Sequence, residues 1–362
     1  MSRLRRPARP LREERPTEVV AAEGMTFSAL GELSDRPNVM VDGAPVESTV
    51  LTLSHWPGSP TPPPFKRDLS AGIVFAWLRA GAPLPARRSG PGKPAGLPVV
   101  TTDHFDQDGL VGVYTLTDPE VALAAEDRLM ALAEAGDFAR GHDRVALRAS
   151  FALSALAESW TAPGAARAGS PPAAVRTNPA LDGALHRAGL DRLPALLAGS
   201  EQWRADWEEE DEFLTASRAA LEAGSVTIDD YPELDLAVVR APDAQWRPAS
   251  QLGRRRPAAV HPVAVHNRTA RSRVLVLSPP RYELYFRYET WVDLASPAWS
   301  PRLDLSAAAA DLSAAEPRAL RWSFNGVRAT IARLTPDHGH SQLAPDVVET
   351  VVTAALRAGL EP

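Results

Sequence analysis

The apolar run Leu97-Pro98-Val99-Val100 leads directly into Asp103-His104-Phe105-Asp106-Gln107-Asp108-Gly109, which places one imidazole and three carboxylates within a few residues and ends them on a glycine. Along extended backbone, side chains alternate, so His104, Asp106 and Asp108 are expected on one side, with Gly109 free to turn the chain out of the strand. Clustered carboxylates repel one another unless a cation neutralises them. This stretch therefore predicts a compact divalent-metal site at a strand-to-helix turn. The bland alternative is that Asp108 caps the following helix while Asp103 and Asp106 make turn hydrogen bonds.

Composition limits what such a metal can be. The chain has no cysteine, so thiolate zinc sites, iron–sulfur clusters, disulfides and cysteine nucleophiles are excluded. Carboxylates with an imidazole suit Mn²⁺ or Mg²⁺, and also Fe²⁺ or Zn²⁺. An EF-hand register counted from His104 puts Gly109 sixth but Thr115 twelfth, where a bidentate Glu is required, so the calcium loop fails. The 362 residues, 44% of them hydrophobic, suffice for a substantial core, and the formal charge of −6 argues against a general nucleic-acid-coating surface. No apolar run of membrane-spanning length or signal-peptide core is apparent, which predicts a soluble, cytoplasmic protein without a membrane partner.

The chain divides on composition into a disordered basic arm at 1–20, an α/β unit at 21–165 carrying the site, a linker and helical segment at 166–224, and an α+β region at 225–362. Ser48 to Leu53 reads as a strand delivering His55 to a loop. Asp68-Leu69-Ser70 introduces a helix with Leu69, Ile73 and Trp77 four apart, stopped at Gly81; Asp68 is read as its cap. Residues 82–96 read as a crossover to the strand at 97–102. Strand, helix, strand is the pattern of a parallel βαβ unit, and the fold class expected is α/β. In open α/β sheets the reacting groups gather beyond the carboxyl ends of the strands, so His55 and the 103–108 cluster should share one sheet edge.

Further along, Asp118-Pro119 predicts a capped helix to about Ala135, with Glu120, Asp127 and Glu134 on its wet face. Asp137, after the apparent stop at Gly136, is a candidate distal ligand. His142-Asp143 is expected to start a helix over 143–159, residues 161–180 a linker, and 180–223 further helix whose acidic run 207–212 is exposed. Strands are predicted at 234–240, 273–277, 282–292 and 321–334, and a last helix at 345–358. If the segment around His261 and His266 is extended, the two point to opposite sides, one to the core and one to the substrate side. Arg254-Arg255-Arg256 is a candidate phosphate clamp. There is no Gly-x-Ser-x-Gly elbow, P-loop or Rossmann fingerprint, which demotes serine hydrolases, P-loop triphosphatases and nicotinamide dehydrogenases.

The stretch Val99 to Leu110 resembles the first metal-binding motif of the DHH phosphoesterase superfamily, which includes RecJ-like nucleases: a strand, then (D/H)xDxDG, then a helix. The resemblance implies that His104, Asp106 and Asp108 are ligands of a two-manganese site that activates water against a phosphate. The layout, with Ser54-His55-Trp56-Pro57-Gly58 and Tyr288-Glu289-Thr290-Trp291-Val292, also resembles an uncharacterised family of bacterial proteins. An Asp-His-His string does not occur; the nearest are Gly141-His142-Asp143 and Asp337-His338-Gly339-His340. The expected function is hydrolysis of a phosphodiester, oligonucleotide or small phosphorylated compound. His104, Asp106, Asp108 and Asp137 are the candidate Mn²⁺ or Mg²⁺ ligands, and Asp106, Asp108 and His55 the candidate catalytic residues. The alternative is a non-catalytic derivative that binds or scaffolds.

Overall fold

The computed structural model describes residues 24–81, 98–160, 179–199, 201–296 and 299–360. The predicted basic arm at 1–20 and the 82–96 crossover lie outside them, as does the predicted linker up to residue 178.

A mixed α/β architecture is built around two sheets. The first holds β1 (Asn38–Val41), β2 (Thr49–Leu53) and β3 (Val99–Thr101), all parallel, in the order β2-β1-β3. Every residue of β1 is buried, as the middle strand of a covered parallel sheet requires. The predicted strand–helix–strand unit is present as β2, α1 (Ser70–Arg79) and β3, but β1 lies between its two strands, so β2 and β3 do not pair. Ile73, Val74, Trp77 and Leu78 of α1 pack on Val39, Val41 and Leu53, joined by Val113 and Leu116 of α2 (Gln107–Thr117). Gly112 lets α2 approach β1: a Cβ there would lie 2.5 Å from Val41 Cγ1.

The single helix expected from residue 118 is two, α3 (Pro119–Ala124) and α4 (Glu126–Asp137), separated where Ala125 leaves helical geometry. The Asp118 side chain makes no cap bond. Gly136 does not stop α4. It is a packing position, where a Cβ would meet Gln107 Cβ at 2.5 Å, and Asp137 lies in the last turn rather than beyond a stop. Asp143 caps α5 (Arg144–Trp160) as expected, accepting from Val145 N at 2.8 Å and Ala146 N at 3.1 Å, while His142 is exposed.

Helices α6 (Pro179–Leu197) and α7 (Arg204–Ala223) follow. The acidic run in α7 is not all exposed: Asp211 is buried against Arg144 and Arg148, and Glu210 against Ser250, Arg255 and His261. At period 3.6 a run of five acids must turn part of itself inward, and here basic partners meet it.

The second sheet has the order β10-β11-β9-β8-β5-β4. Its strands are β4 (Thr227–Tyr231), β5 (Leu236–Arg240), β8 (Arg273–Ser278), β9 (Arg281–Phe286), β10 (Trp322–Phe324) and β11 (Arg333–Pro336). Alternation along β5 sends Leu236 and Val238 to one face, beneath α9 (Ser306–Ala315) and α10 (Pro345–Leu360), and Val239 to the other, where it joins the core of α4 and α5. Both faces are covered, so Tyr285 is buried as well as Tyr282, Leu284 and Phe286, although the alternation of apolar Tyr282, Leu284 and Phe286 with Glu283, Tyr285 and Arg287 predicts a half-buried strand. The predicted strand over 282–292 ends at Phe286 and gives way to a 3₁₀ turn at Tyr288–Thr290; that over 321–334 is the hairpin β10–β11. Between β5 and β8 in the chain, β6 (Arg247–Gln251) and β7 (Arg254–Ala258) form a separate hairpin, followed by the short helix α8 (Pro262–His266). That segment is helical, so His261 and His266 are both core residues: His266 bonds Phe138 O and Tyr285 Oη, and His261 faces Glu210.

A candidate metal centre at the carboxyl ends of three parallel strands

Each strand of the first sheet hands a chemically active residue to the same edge: β1 ends at Asp42, β2 is followed by His55, and β3 by His104, Asp106 and Asp108. Asp137 arrives from the last turn of α4. Asp42, Asp108 and Asp137 have no exposed surface, Asp106 is 2% exposed and His55 1%. The candidate ligands and catalytic residues His55, His104, Asp106, Asp108 and Asp137 therefore converge, together with Asp42, which the sequence reading misses. The run Val39-Met40-Val41 before Asp42-Gly43 has the grammar of β3 in miniature but is too short to register as a strand from sequence.

The cluster does not form by alternation along an extended segment. Asp106 is extended and caps α2, its Oδ1 accepting from Gly109 N at 2.9 Å, and Asp108 already lies in the first turn of that helix. Asp108 reaches across to the start of α1, where Oδ2 accepts from Ser70 N at 2.7 Å and Oδ1 from Ala71 N at 2.9 Å. A carboxylate at a helix N-terminus answers both its unsatisfied amides and its dipole. Asp68 does not cap α1; its Oδ1 instead accepts from Ala295 N and Ser296 N, each at 2.8 Å.

Two imidazoles face the carboxylates through Nε2. His55 Nδ1 lies 2.7 Å from Asp68 O, a pure acceptor, so Nδ1 carries the proton and Nε2 is left bare. That Nε2 lies 3.4 Å from Asp42 Oδ1, 3.6 Å from Asp137 Oδ2 and 3.9 Å from Asp108 Oδ2, with the Tyr288 hydroxyl donating to it at 3.2 Å. His104 Nδ1 is 2.9 Å from Asp103 Oδ1, while its Nε2 is 2.8 Å from Asp106 Oδ2 and 3.5 Å from Asp42 Oδ2. Asp103 is thus an orienting residue: its other oxygen accepts from Ala44 N at 3.0 Å, tying the loop after β1 to the one after β3.

The ligand-type atoms fall into two sets, Asp42–His104–Asp106 and Asp42–His55–Asp108, each with its atoms within 4.8 Å of one another and sharing Asp42. No Arg or Lys pairs with these four carboxylates among the described residues, and the Asp42 Oδ2 and both Asp137 oxygens are buried without a hydrogen-bond partner. Burial raises Asp42 and Asp137 well above the usual carboxylate range, and Asp106 and Asp108 push them further; Asp108 is raised mainly by burial. Burial also acts on Asp106, but His104 outweighs it and holds this carboxyl at about 2. For His104 burial is opposed by Asp106 and Asp103, which carry it well above the ordinary imidazole value. Buried carboxylate oxygens with no donor, and an imidazole lone pair aimed at them, form a donor set that fits a hard or borderline divalent cation.

The wall of the site is aromatic. The Trp56 ring stands 5.2 Å from that of His104 and 5.4 Å from that of Trp291. His186, on α6, packs on Phe105 and is held neutral, with burial lowering it to about 4. Of the predicted arginine triplet, Arg255 is committed to Glu210 and Asp206 O, away from the carboxylates. The tip of the β6–β7 hairpin touches the site: Leu252 N donates to Gly136 O at 2.9 Å, and a Cβ on Gly253 would lie 2.7 Å from Phe105 O and 3.3 Å from Asp106 Cα. His142, His338 and His340 are exposed and apart from it.

Among the described residues no helix is long and apolar enough to cross a membrane. Comparison with curated proteins and with solved structures finds no match. A family model, by contrast, matches residues 23–361, so that all of the site lies within it: the chain belongs to a family of unknown function, DUF6687.

Proposed function

We propose that this chain is a metal-dependent phosphoesterase whose buried carboxylate–imidazole cluster holds divalent metal, Mn²⁺ or Mg²⁺. The observation that carries this reading is the pair of ligand sets sharing Asp42, lined by a His55 lone pair and by carboxylate oxygens that have no Arg or Lys partner among the described residues. His104, Asp106 and Asp42 would make one position; His55, Asp108 and Asp42 the other, with Asp137 beside it. Metals so held supply charge neutralisation for a phosphate and an activated water. The protein's own groups prepare the place. Asp103 fixes the His104 tautomer and Asp68 O that of His55, the Tyr288 phenol stays protonated, being raised by burial and by Asp137, and the Trp56 ring shields the open side at His104.

The test is metal content and melting temperature of protein purified without chelator, followed by a phosphodiesterase and phosphomonoesterase screen with Mn²⁺. Bound transition metal or an Mn²⁺-induced rise in melting temperature, together with hydrolysis lost in Asp108→Asn, is expected. Neither metal nor a thermal shift would overturn the metal reading. Metal binding without hydrolysis would leave a metal-binding scaffold.

A further inference from the structure

The strand β7 begins at the rim of the metal cluster. Leu252 and Gly253, at the hairpin tip, both have positive φ, 51° and 64°, the two-residue turn that suits a twisted hairpin. This turn seats on the backbone of Phe105, Asp106 and Gly136, so Arg254, the next residue, leaves directly from the edge of the carboxylate site. Alternation then puts Arg254 and Arg256 on one face of β7, about 7 Å apart along the strand, and Arg255 on the other. Arg255 is consumed by its contacts with Glu210 and Asp206 O.

Arg254 and Arg256 are different. Both are exposed, and neither takes part in an ion pair among the described residues. Arg256 acts on other cations as a like charge: Arg254 feels it, and so does Arg333 of β11, which is itself paired with Glu283. The carboxylate that Arg254 senses is Asp182 of α6, and Asp182 in turn senses His104, the most exposed of the candidate ligands. Surrounding protein lowers both Arg254 and Arg256 by desolvation, although both meet solvent. Like charges gathered on one strand face without an ion-pair partner cost stability unless an anion visits.

We propose that Arg254 and Arg256 form an anion subsite beside the metal cluster, which takes a second phosphate of a small bisphosphorylated compound. This rests on the phosphoesterase reading for the identity of the first phosphate, not for the subsite itself. A small ligand fits better than a polymer: the free arginines are confined to a few ångströms of one strand, and the chain as a whole carries a formal charge of −6.

The experiment uses inorganic pyrophosphate and tripolyphosphate as probes, titrated calorimetrically into the full chain with EDTA present and again with Mn²⁺. Wild-type protein is expected to bind tripolyphosphate in EDTA, more weakly as salt rises. The exposed double variant Arg254→Gln/Arg256→Gln should bind at least about tenfold less tightly, with its circular dichroism and Mn²⁺-induced thermal shift unchanged. Equal affinity in the double variant, or no binding by the wild type with or without Mn²⁺, would overturn the subsite. Loss of the Mn²⁺ shift in both proteins with anion binding intact would overturn the metal reading alone. Tight binding of a single-stranded oligonucleotide with no response to either polyphosphate would overturn the small-ligand assignment.

Discussion

Asp137 is the residue at which apo protein and metal site conflict most. Its two oxygens are buried without a donor, and burial together with Asp106, Asp108 and Asp42 raises it well above 3.8. A carboxyl whose folded value is raised gives stability that is fully present below the unfolded value and is lost as pH rises through the folded one. Asp42 and Asp108 act in the same sense, and so does His104, whose contribution is full below 6.5 and lost above. Asp106, at about 2, opposes them: its contribution is present above 3.8 and fades only as pH falls toward 2. Metal-free protein should therefore melt at progressively lower temperature as pH climbs from about 4 to 8, and saturating Mn²⁺ should flatten or reverse that slope, because the cation replaces the protons. A melting series in EDTA and in Mn²⁺ over this range checks it; parallel curves would count against the site. Asp137→Asn should raise the melting temperature at pH 8 in EDTA by a few degrees and shrink the Mn²⁺ increment, the exchange of stability for function that a working site imposes.

At the scale of elements, the site depends on close approaches that only glycine permits. Gly112→Ala adds helix propensity worth about 1 kcal/mol but drives a methyl to 2.5 Å from Val41 Cγ1 on the strand that carries Asp42. A net loss of about 1–3 kcal/mol is expected, read by chemical denaturation, with weaker Mn²⁺ binding because β1 is displaced. Gly253→Ala meets backbone rather than a side chain, at Phe105 O, and must hold φ at 64°. About 2 kcal/mol should be lost, and the hairpin lifted from the rim. Such approaches are invisible in a sequence, where Gly136 reads as a helix stop. What was legible had a period or a grammar. The α1 spacing at Leu69, Ile73 and Trp77 gave that helix, the β-branched run before His55 gave β2, and the strand-end rule joined His55 to Asp108. Asp42 was not legible because β1 offers only Val39, Met40 and Val41, too few residues to register alternation, and owes its strand state to β2 and β3 on either side. Tyr288 read as a strand residue because nothing local in its sequence marks the 3₁₀ turn that aims its hydroxyl at His55.

Across the whole molecule, the later half of the chain closes a site whose ligands all come from the earlier half. Tyr288 meets His55 Nε2, Asp293 N donates to His55 O at 2.8 Å, and Asp293 Oδ2 accepts from Gly58 N at 3.0 Å. On the other side Leu252 N reaches Gly136 O, the carbonyl next to Asp137. These bonds connect the second sheet's 3₁₀ turn and the β6–β7 hairpin to the backbone of the candidate ligands, so a cation that draws the carboxylates together should tighten the closure. Hydrogen exchange of the full chain is the measurement: the amides of Leu252 and Asp293 should exchange at least about tenfold more slowly in Mn²⁺ than in EDTA, a gain of about 1.4 kcal/mol in opening energy. Amides inside α10, which packs on the far face of the second sheet, should respond less. Asp106→Asn provides the contrast, since it leaves the hairpin contacts in place and removes one ligand charge. If the amides slow equally in that variant, the effect of Mn²⁺ is nonspecific, and the closure is a fixed feature of the fold rather than one coupled to the metal.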